Sequence, residues 1–447
     1  MSAKPYEVTV LGVTGFTGRQ AVRALLHRAA NRPLRWAVAG RNREKLQALV
    51  TESVPAAAPQ PGILLADLGD AVSLQNLAAQ TDVLLNLAGP YALTGEAVVQ
   101  ACITHGTHHL DLTGETFWVQ QLIARHHAAA RAAQVKIIPC CGYEALPFDI
   151  ATLWAAQQVR DRFNEPCREV KVVVSFTGRR IKSVKDAVSG GTVASMKMLL
   201  EHDHSDCVRN PACLLPVDAA DSAEVARRNA YRFVPQFDAD LGCVTAPTIP
   251  APFINPPIVL RTQALLAAEP GSQVPLFSAD FRYVEAMSMA SLVPAVSFLP
   301  KASNLPLQWA AAAALAAPLA GLSAAIAGPL EFQRQGLRKL IDWLAPKAGD
   351  GPSDDALDGT GYAFDIVATS SSGKALRGRM EAQGHPGYRS TPEMAVTAAV
   401  GLARGELGRN GQYGIVTPAV GLGIEAIAAL REAGVEFSLV AAAHAKG

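Results

Sequence analysis

The sequence predicts a doubly wound α/β domain followed by a second, α+β domain built on a mixed or antiparallel sheet. Three observations predict it. Short apolar strands alternate with helical segments through the first third of the chain, a glycine-rich turn joins the first strand to the first helix, and the pattern changes after about Pro147.

Residues 8–11 form the first apolar run, and 17–30 have helical character. Residues 36–39, 63–66, 83–87, 109–112 and 135–138 continue the strand series. Between them, 43–50, the stretch through Leu74 and Leu77, 96–104 and 116–133 read as helices. Strands this short and apolar are buried on both faces. Right-handed crossovers then produce a parallel sheet with helices on each side. Beyond Pro147, residues 170–176, 258–265 and 280–284 read as longer strands. Residues 362–369 and 375–383 flank Gly373 and read as an antiparallel hairpin. Residues 211–257, rich in Pro and Asp, read as irregular, and 350–358 as an acidic loop. Residues 392–403 and 418–433 return to helix. The implied division is 1–147, 148–390 and 391–447, with the last helices packing back on the first domain.

Composition narrows the function. A chain of 447 residues can bury two or three ordinary cores. Charged residues make up 18 % and hydrophobic ones 49 %; the usual charged share is ~25 %. Such a chain has a large core or an apolar working surface. Lys plus Arg number 40 and Asp plus Glu 39. That balance argues against nucleic acid as the main partner, while leaving room for a local basic patch. The 7 cysteines are odd in number and lack zinc-type spacing. They read as reduced thiols, no metal site is expected, and the short polar N-terminus leads to a cytoplasmic expectation. Residues 302–330 carry no charge. They read as a buried or half-buried helical hairpin, with a lipid-contacting segment or a transmembrane helix interrupted by Pro318 and Gly321 as the alternatives. Residues 333–344 place Arg334, Arg338 and Lys339 beside leucines, a basic amphipathic pattern that suits an interfacial or a solvated helix.

The strongest motif is Gly12-Val-Thr14-Gly15-Phe16-Thr17-Gly18, which ends a strand and opens a helix. Gly12 permits a tight turn, Gly15 lets backbone approach a pyrophosphate, and Gly18 lets the helix pack on the strand. The free N–H groups of the helix N-terminus then face phosphate oxygens. This is a Rossmann dinucleotide turn. Ala39-Gly40-Arg41 follows the second strand. A carboxylate at that place would bond the ribose hydroxyls of NAD; Arg41 instead offers a guanidinium fork to a 2′-phosphate, so NADP is expected. Arg43 and Lys45 add positive charge. Asp67, after the third strand, is placed to reach the adenine edge or to cap a helix. In Asn86-Leu-Ala88-Gly89-Pro90-Tyr91, Gly89 lets the chain pass close to the nicotinamide ribose.

These motifs, with Asp111-Leu-Thr-Gly-Glu115, Cys141-Gly142-Tyr143-Glu144-Ala145, Ser189-Gly-Gly-Thr192, Pro386-Gly-Tyr388 and Thr417-Pro418, resemble the saccharopine dehydrogenase-like oxidoreductases. Within that group the chain is most similar to the trans-acting enoyl reductases and their animal relatives. The resemblance spans nearly the whole chain. It implies a Rossmann domain, a second α+β domain, NADP, and an acyl or lipid-like substrate. It also adds Gly142 to the cofactor-binding residues. Where the family commonly has Gly-Phe-Asp-Ser, this chain has Gly142-Tyr143-Glu144-Ala145, losing a hydroxyl and lengthening the carboxylate arm.

Reduction of an enoyl group needs a donor for the developing enolate oxygen and an acid for the α-carbon. Tyr143, just past the sixth strand, is the first candidate donor, with Tyr91 and Tyr388 as others, and Glu144 is placed to orient Tyr143 or hold an ammonium. Ser189 to Thr192 reads as a backbone nest or a flexible loop, and Arg179, Arg180, Lys182 and Lys185 as a solvated basic loop or a carboxylate site. His108, His109, Cys140 and Cys141 read as structural. Three functions are consistent with these residues: an NADPH-dependent reductase of acyl chains, a reductase of a small amino-acid-derived imine, or a non-catalytic NADP-binding protein at lipid surfaces. A peripheral membrane contact and a homodimer are partner expectations.

Overall fold

A computed structural model describes residues 4–178, 193, 205–216, 221–249, 252–267, 274–293, 304–327 and 351–440. The first domain is a parallel sheet of β1 (Tyr6–Leu11), β2 (Trp36–Gly40), β3 (Gly62–Leu65), β4 (Thr81–Asn86), β5 (His108–Asp111) and β6 (Lys136–Ile138), joined by β13 (Gly414–Ile415). Its order is β13-β6-β5-β4-β1-β2-β3. Strand order reverses between β1 and β4, and at such a switch point a crevice opens at the carboxyl ends of the strands. Helices α1 (Phe16–Asn31), α2 (Arg43–Ser53), α3 (Ala71–Ala78), α4 (Tyr91–Thr104) and α5 (Thr116–Ala132) cover it. Val8, Val10, Val38, Val83 and Leu85 are fully buried, as strands covered on both faces require.

The second sheet runs β14-β12-β11-β7-β10-β9-β8. Its strands are β7 (Cys167–Gly178), β8 (Gln236–Asp238), β9 (Cys243–Ala246), β10 (Phe277–Ser288), β11 (Thr360–Ser370), β12 (Ala375–Gln383) and β14 (Val435–Val440). Only β7 and β10 pair parallel; the other neighbours are antiparallel, including the β11–β12 hairpin. Helix α6 (Leu146–Phe163) links the two domains and lies on this sheet, where a Cβ on Gly378 would come within 2.5 Å of the Trp154 ring. All seven cysteines are free and buried.

Several sequence expectations are corrected. Residues 258–265 are not a strand but part of a helix, Asn255–Ala267. An apolar run has no decisive period, and Pro256 and Pro257 preset the first helical turn. Residues 211–257 are not wholly irregular, since they hold the helix Ser222–Arg228 and strands β8 and β9. Residues 354–359 are helical within the expected acidic loop. The last helical stretch is two helices, Pro418–Leu422 and Ala426–Glu432, parted at Gly423, whose φ is +80°. The charge-free stretch is one helix, Leu305–Ala327, running through Pro318, rather than a hairpin. It buries only a narrow stripe through Gln308, Ala312 and Ala316, packed with Val244, Met287 and Met289, and leaves Leu307 and Trp309 exposed. It is long and apolar enough to cross a membrane by composition alone. Residues 328–350, with the basic amphipathic pattern, lie outside the described residues, as do Arg179 to Lys185 and Ser189 to Thr192.

The C-terminal chain returns to both sheets, and buried polar groups hold it there. Lys136 Nζ donates to Asn410 Oδ1 at 3.0 Å and to Gln412 O at 2.5 Å. Arg261, 2 % exposed, donates to Leu214 O and to Ile415 O. The fully buried Asp149 carboxylate accepts from the Thr262 hydroxyl at 2.6 Å and from Ala419 N–H at 2.8 Å. Each satisfies groups that would be costly to bury alone. Together they seat β13 beside β6 and bring the helix Thr391–Ala403 against α1, β1 and β4.

Candidate active site

The glycine turn has the geometry of a phosphate cradle. Gly12 sits at φ +88°, and a Cβ there would lie 2.9 Å from Ala88 N. A Cβ on Gly18 would overlap Gly12 O and come within 2.5 Å of Val13 Cα. No larger residue fits either place without backbone movement. The first helical bond of α1 runs from Arg19 N–H to Gly15 O at 3.1 Å. The N–H groups of Phe16, Thr17 and Gly18 thus have no helical acceptor, no side chain caps the helix, and its first turn holds no acid. An unsatisfied, uncapped N-terminus with a partial positive charge is a site for a diphosphate. The residues present fit the group.

Arg41 is exposed beyond β2, and Arg41, Arg43 and Lys45 have no side-chain partner among the described residues. Asp67 instead accepts from Gly69 N–H at 2.9 Å in a local turn, and Asp70 is the residue that caps α3. In the β4 loop, Asn86 Oδ1 accepts from Ala88 N–H, and Asn86 Nδ2 is buried without a partner among the described residues. The Gly89–Pro90 and Glu144–Ala145 peptides are cis. Tyr91 is corrected as a hydroxyl donor to substrate. Its OH donates to Asn86 O and accepts from Leu112 N–H, and its ring stacks on Trp118. Glu115 accepts from the N–H groups of Tyr91 and Ala92 at the start of α4.

Two motifs distant in sequence meet over the turn. Tyr388 packs edge-on against Phe16 at 5.6 Å and lies beside His385. Thr391 Oγ1 donates to Pro386 O and accepts from Tyr143 N–H at 2.8 Å. A Cβ on Gly142 would crowd Thr391 at 3.2 Å. Tyr388 therefore forms part of the wall beside Phe16, apart from the ring cluster around Tyr143.

Past β6, Tyr143 is 8 % exposed, ringed by Phe148, Tyr362 and Phe364. Its hydroxyl has no hydrogen-bond partner among the described residues, and burial raises its pKa well above the usual value, with Tyr362, Glu144 and Glu285 adding to the shift. Glu285 reaches the same region from β10. It accepts from the Thr248 hydroxyl at 2.7 Å and the Tyr283 hydroxyl at 3.0 Å, with the Asn255 amide as a third donor. Asn255 Oδ1 is buried with no partner among the described residues. Burial pushes Glu285 up to about 7 against these donors. Burial and then the Glu285 charge push Glu144 up to about 8. Burial raises both carboxyls, and the Glu285 charge adds to the shift of Glu144, so each is held toward its protonated form. Sequence reading missed Glu285, Tyr283 and Asn255. The available signal was an acid in the inward register of β10, where Phe281, Tyr283, Glu285 and Met287 alternate.

A cleft opens beside this cluster. Among the described residues, strand β9 pairs with β10 only at Met287 and Ser288, and no strand pairs with this edge of β10 further back. There Tyr283 N–H donates to Asn229 Oδ1. The cleft is small, about 20 Å³, and partly open to solvent, and it is lined by Arg228, Arg232, Arg282, Pro252, Tyr283 and Glu285 among others. No group of three or more His, Cys, Asp and Glu is placed to hold a metal among the described residues.

Residues 8–138 match the family model of the saccharopine dehydrogenase NADP binding domain, which assigns NADP as the dinucleotide. The chain is 29 % identical to a putative trans-acting enoyl reductase of Mycobacterium tuberculosis, across 98 % of each chain. A trans-acting enoyl reductase of Mycobacterium bovis is 29 % identical across 97 % of each. The apo saccharopine dehydrogenase (L-Glu forming) of Saccharomyces cerevisiae aligns over 97 % of this chain and 99 % of its own, with 14 % identity and a TM-score of 0.47.

Reversing the charge with Arg41→Glu is expected to weaken NADPH binding about 100-fold, the scale of a lost charge-assisted bond plus repulsion. Binding of NADH should change little, and calorimetry with both nucleotides checks the contrast. Stability should fall as pH rises from 7 to 8. Glu144, Glu285, Asp149 and Asp111 are raised to about 8, 7, 7 and 7, so the folded chain keeps protons that the unfolded chain has released. His108 and His109 are lowered to about 4 and 3 and are neutral in this window, and Lys136, lowered to about 8, opposes the trend by only part of one proton. Unfolding at pH 7.5 should release roughly one to two protons, and Glu285→Gln should flatten the slope of Tm against pH.

Proposed function

We propose, from the premise that this chain is a saccharopine dehydrogenase-like oxidoreductase with an NADP-binding N-terminal domain, that it reduces α,β-unsaturated acyl chains in lipid or polyketide metabolism. The observation that carries the reading is the unpaired hydroxyl of buried Tyr143, on which the Glu144 and Glu285 carboxyls act by charge. Phosphate binding falls to the N–H groups of residues 16–18 and to Arg41. When bound, the reduced cofactor supplies the hydride that adds to the β-carbon.

The chain's own residues handle the charge and the proton. The Tyr143 hydroxyl donates a hydrogen bond to the substrate carbonyl oxygen, stabilising the enolate as it forms. The Phe148, Tyr362 and Phe364 rings exclude water and strengthen that bond. The Glu144–Glu285 pair holds the proton that the α-carbon takes up, and Tyr283, Thr248 and Asn255 fix the Glu285 carboxyl in place. The apolar face of the helix Leu305–Ala327 suits contact with a lipid-like substrate or a membrane surface.

A second reading has one observation in its favour. The arginine-lined cleft would hold the carboxylates of a small amino-acid-derived imine.

Oxidation of NADPH, followed with crotonyl and longer enoyl thioesters and with imino acids, separates the two. The proposal expects turnover of enoyl thioesters, a kcat lowered about 100-fold by Tyr143→Phe, and a rate that falls as pH rises past 8. Turnover of imino acids alone would move the assignment to the second reading. Tight NADPH binding without turnover of either substrate would contradict both.

A further inference from the structure

We propose that the cleft at the open edge of β10 is a phosphoryl-binding site, which takes the phosphate of the substrate's thioester carrier arm while the acyl end reaches Tyr143 and Glu285. It rests on the acyl-reductase reading for the identity of the substrate, but the site itself stands on charge and geometry.

Arg228, Arg232 and Arg282 converge on one small cleft. Arg282 is matched by Glu169 at 3.4 Å. Arg232 donates to the neutral Gln236 amide at 3.0 Å. The Nε of Arg228 is buried and has no hydrogen-bond partner among the described residues. Of the other nearby acids, Asp238 is engaged by Lys171 at 2.7 Å, and Glu285 in the cleft accepts from the Thr248 and Tyr283 hydroxyls. Arg228 is thus left without a matching carboxylate, and Arg232 is repelled by Arg282 while Glu169 and Asp238 act on it only at a distance. Like charges held together and partly desolvated are stabilised by an anion. A carboxylate supplies one negative charge and leaves one guanidinium uncompensated. A phosphoryl group supplies ≈ −1.5 to −2 charges at neutral pH and three acceptor oxygens. It also suits the forked donors of arginine.

The position gives the anion a purpose. The floor of the cleft is Tyr283 and Glu285, the same residues that close the acid cluster beside Tyr143. Acyl thioesters built on a pantetheine arm carry a phosphoryl group at the far end from sulfur, whereas free enoic acids and simple thioesters do not. The cleft would therefore select carrier-borne chains and align them.

Calorimetry with pantetheine 4′-phosphate and with pantetheine tests the site without any need for turnover. The phosphorylated compound should bind at least tenfold more tightly. The double variant Arg228→Gln/Arg232→Gln should reduce the difference to less than twofold and leave pantetheine binding unchanged. The single variants Arg228→Gln and Arg232→Gln, each with an unshifted Tm, should give intermediate losses. Equal binding of the two compounds by the native protein would overturn the proposal. So would a contrast that survives the double variant, or competition by glutarate as effective as that by inorganic phosphate, which would make the site a carboxylate site. Should the phosphate contrast hold while no enoyl thioester is reduced, the cleft assignment stands and the reductase reading is what fails.

Discussion

The close approach of two backbone segments at the switch point sets the rest of the structure. Gly12 must lie against Ala88, and α1 must sit on the β1 turn with nothing larger than hydrogen at Gly18. That contact leaves the first N–H groups of α1 without a helical acceptor and free to bind phosphate oxygens. It also fixes where everything else must gather. Phe16 leaves the turn in a direction that Tyr388 covers, and Thr391 then ties the same segment to Tyr143. The wall beside Phe16 and the ring cluster around Tyr143 are thus joined through Thr391.

The C-terminal chain closes the site by inserting into both sheets rather than by lying on the surface. Strand β13 extends the parallel sheet, β14 extends the mixed one, and the segment between them supplies the N–H that Asp149 accepts. Lys136, Arg261 and Asp149 are charged-type residues that the core tolerates only because carbonyls, an N–H and hydroxyls surround them. Burial pushes Asp149 up to about 7 and Lys136 down to about 8, so both are held closer to their neutral forms than in water. The two domains therefore pack together around α6.

The parallel domain was legible in the sequence because its strands are apolar on both faces and its helices separate them regularly. The glycine turn was legible because each glycine answers a steric demand. The second domain was less so. Residues 258–265 look like a strand and form a helix, since a short apolar run carries no period and only Pro256 and Pro257 distinguish it. Strand β13 has two residues and leaves no pattern at all; buried Lys136 and Arg261 place it. Tyr143 and Glu144 were visible as a motif, but their partner Glu285 lies far along the chain on β10, and only the fold brings it near. Tyr91 fits the motif equally well, yet its hydroxyl is taken up by Asn86 O and Leu112 N–H. Sequence identifies the residue types suited to a chemistry; which of them keep a free polar atom depends on packing.

The account's central claim is that the α1 N-terminus positions the dinucleotide so that its reactive ring meets the Tyr143 cluster. A crystal structure of the protein soaked with NADP tests it most directly. The account predicts the diphosphate against the N–H groups of residues 16–18, the 2′-phosphate beside Arg41, and the nicotinamide facing the Tyr143 hydroxyl and Glu285. A nicotinamide turned away from that pocket, or an adenine ribose seated away from Arg41, would contradict it.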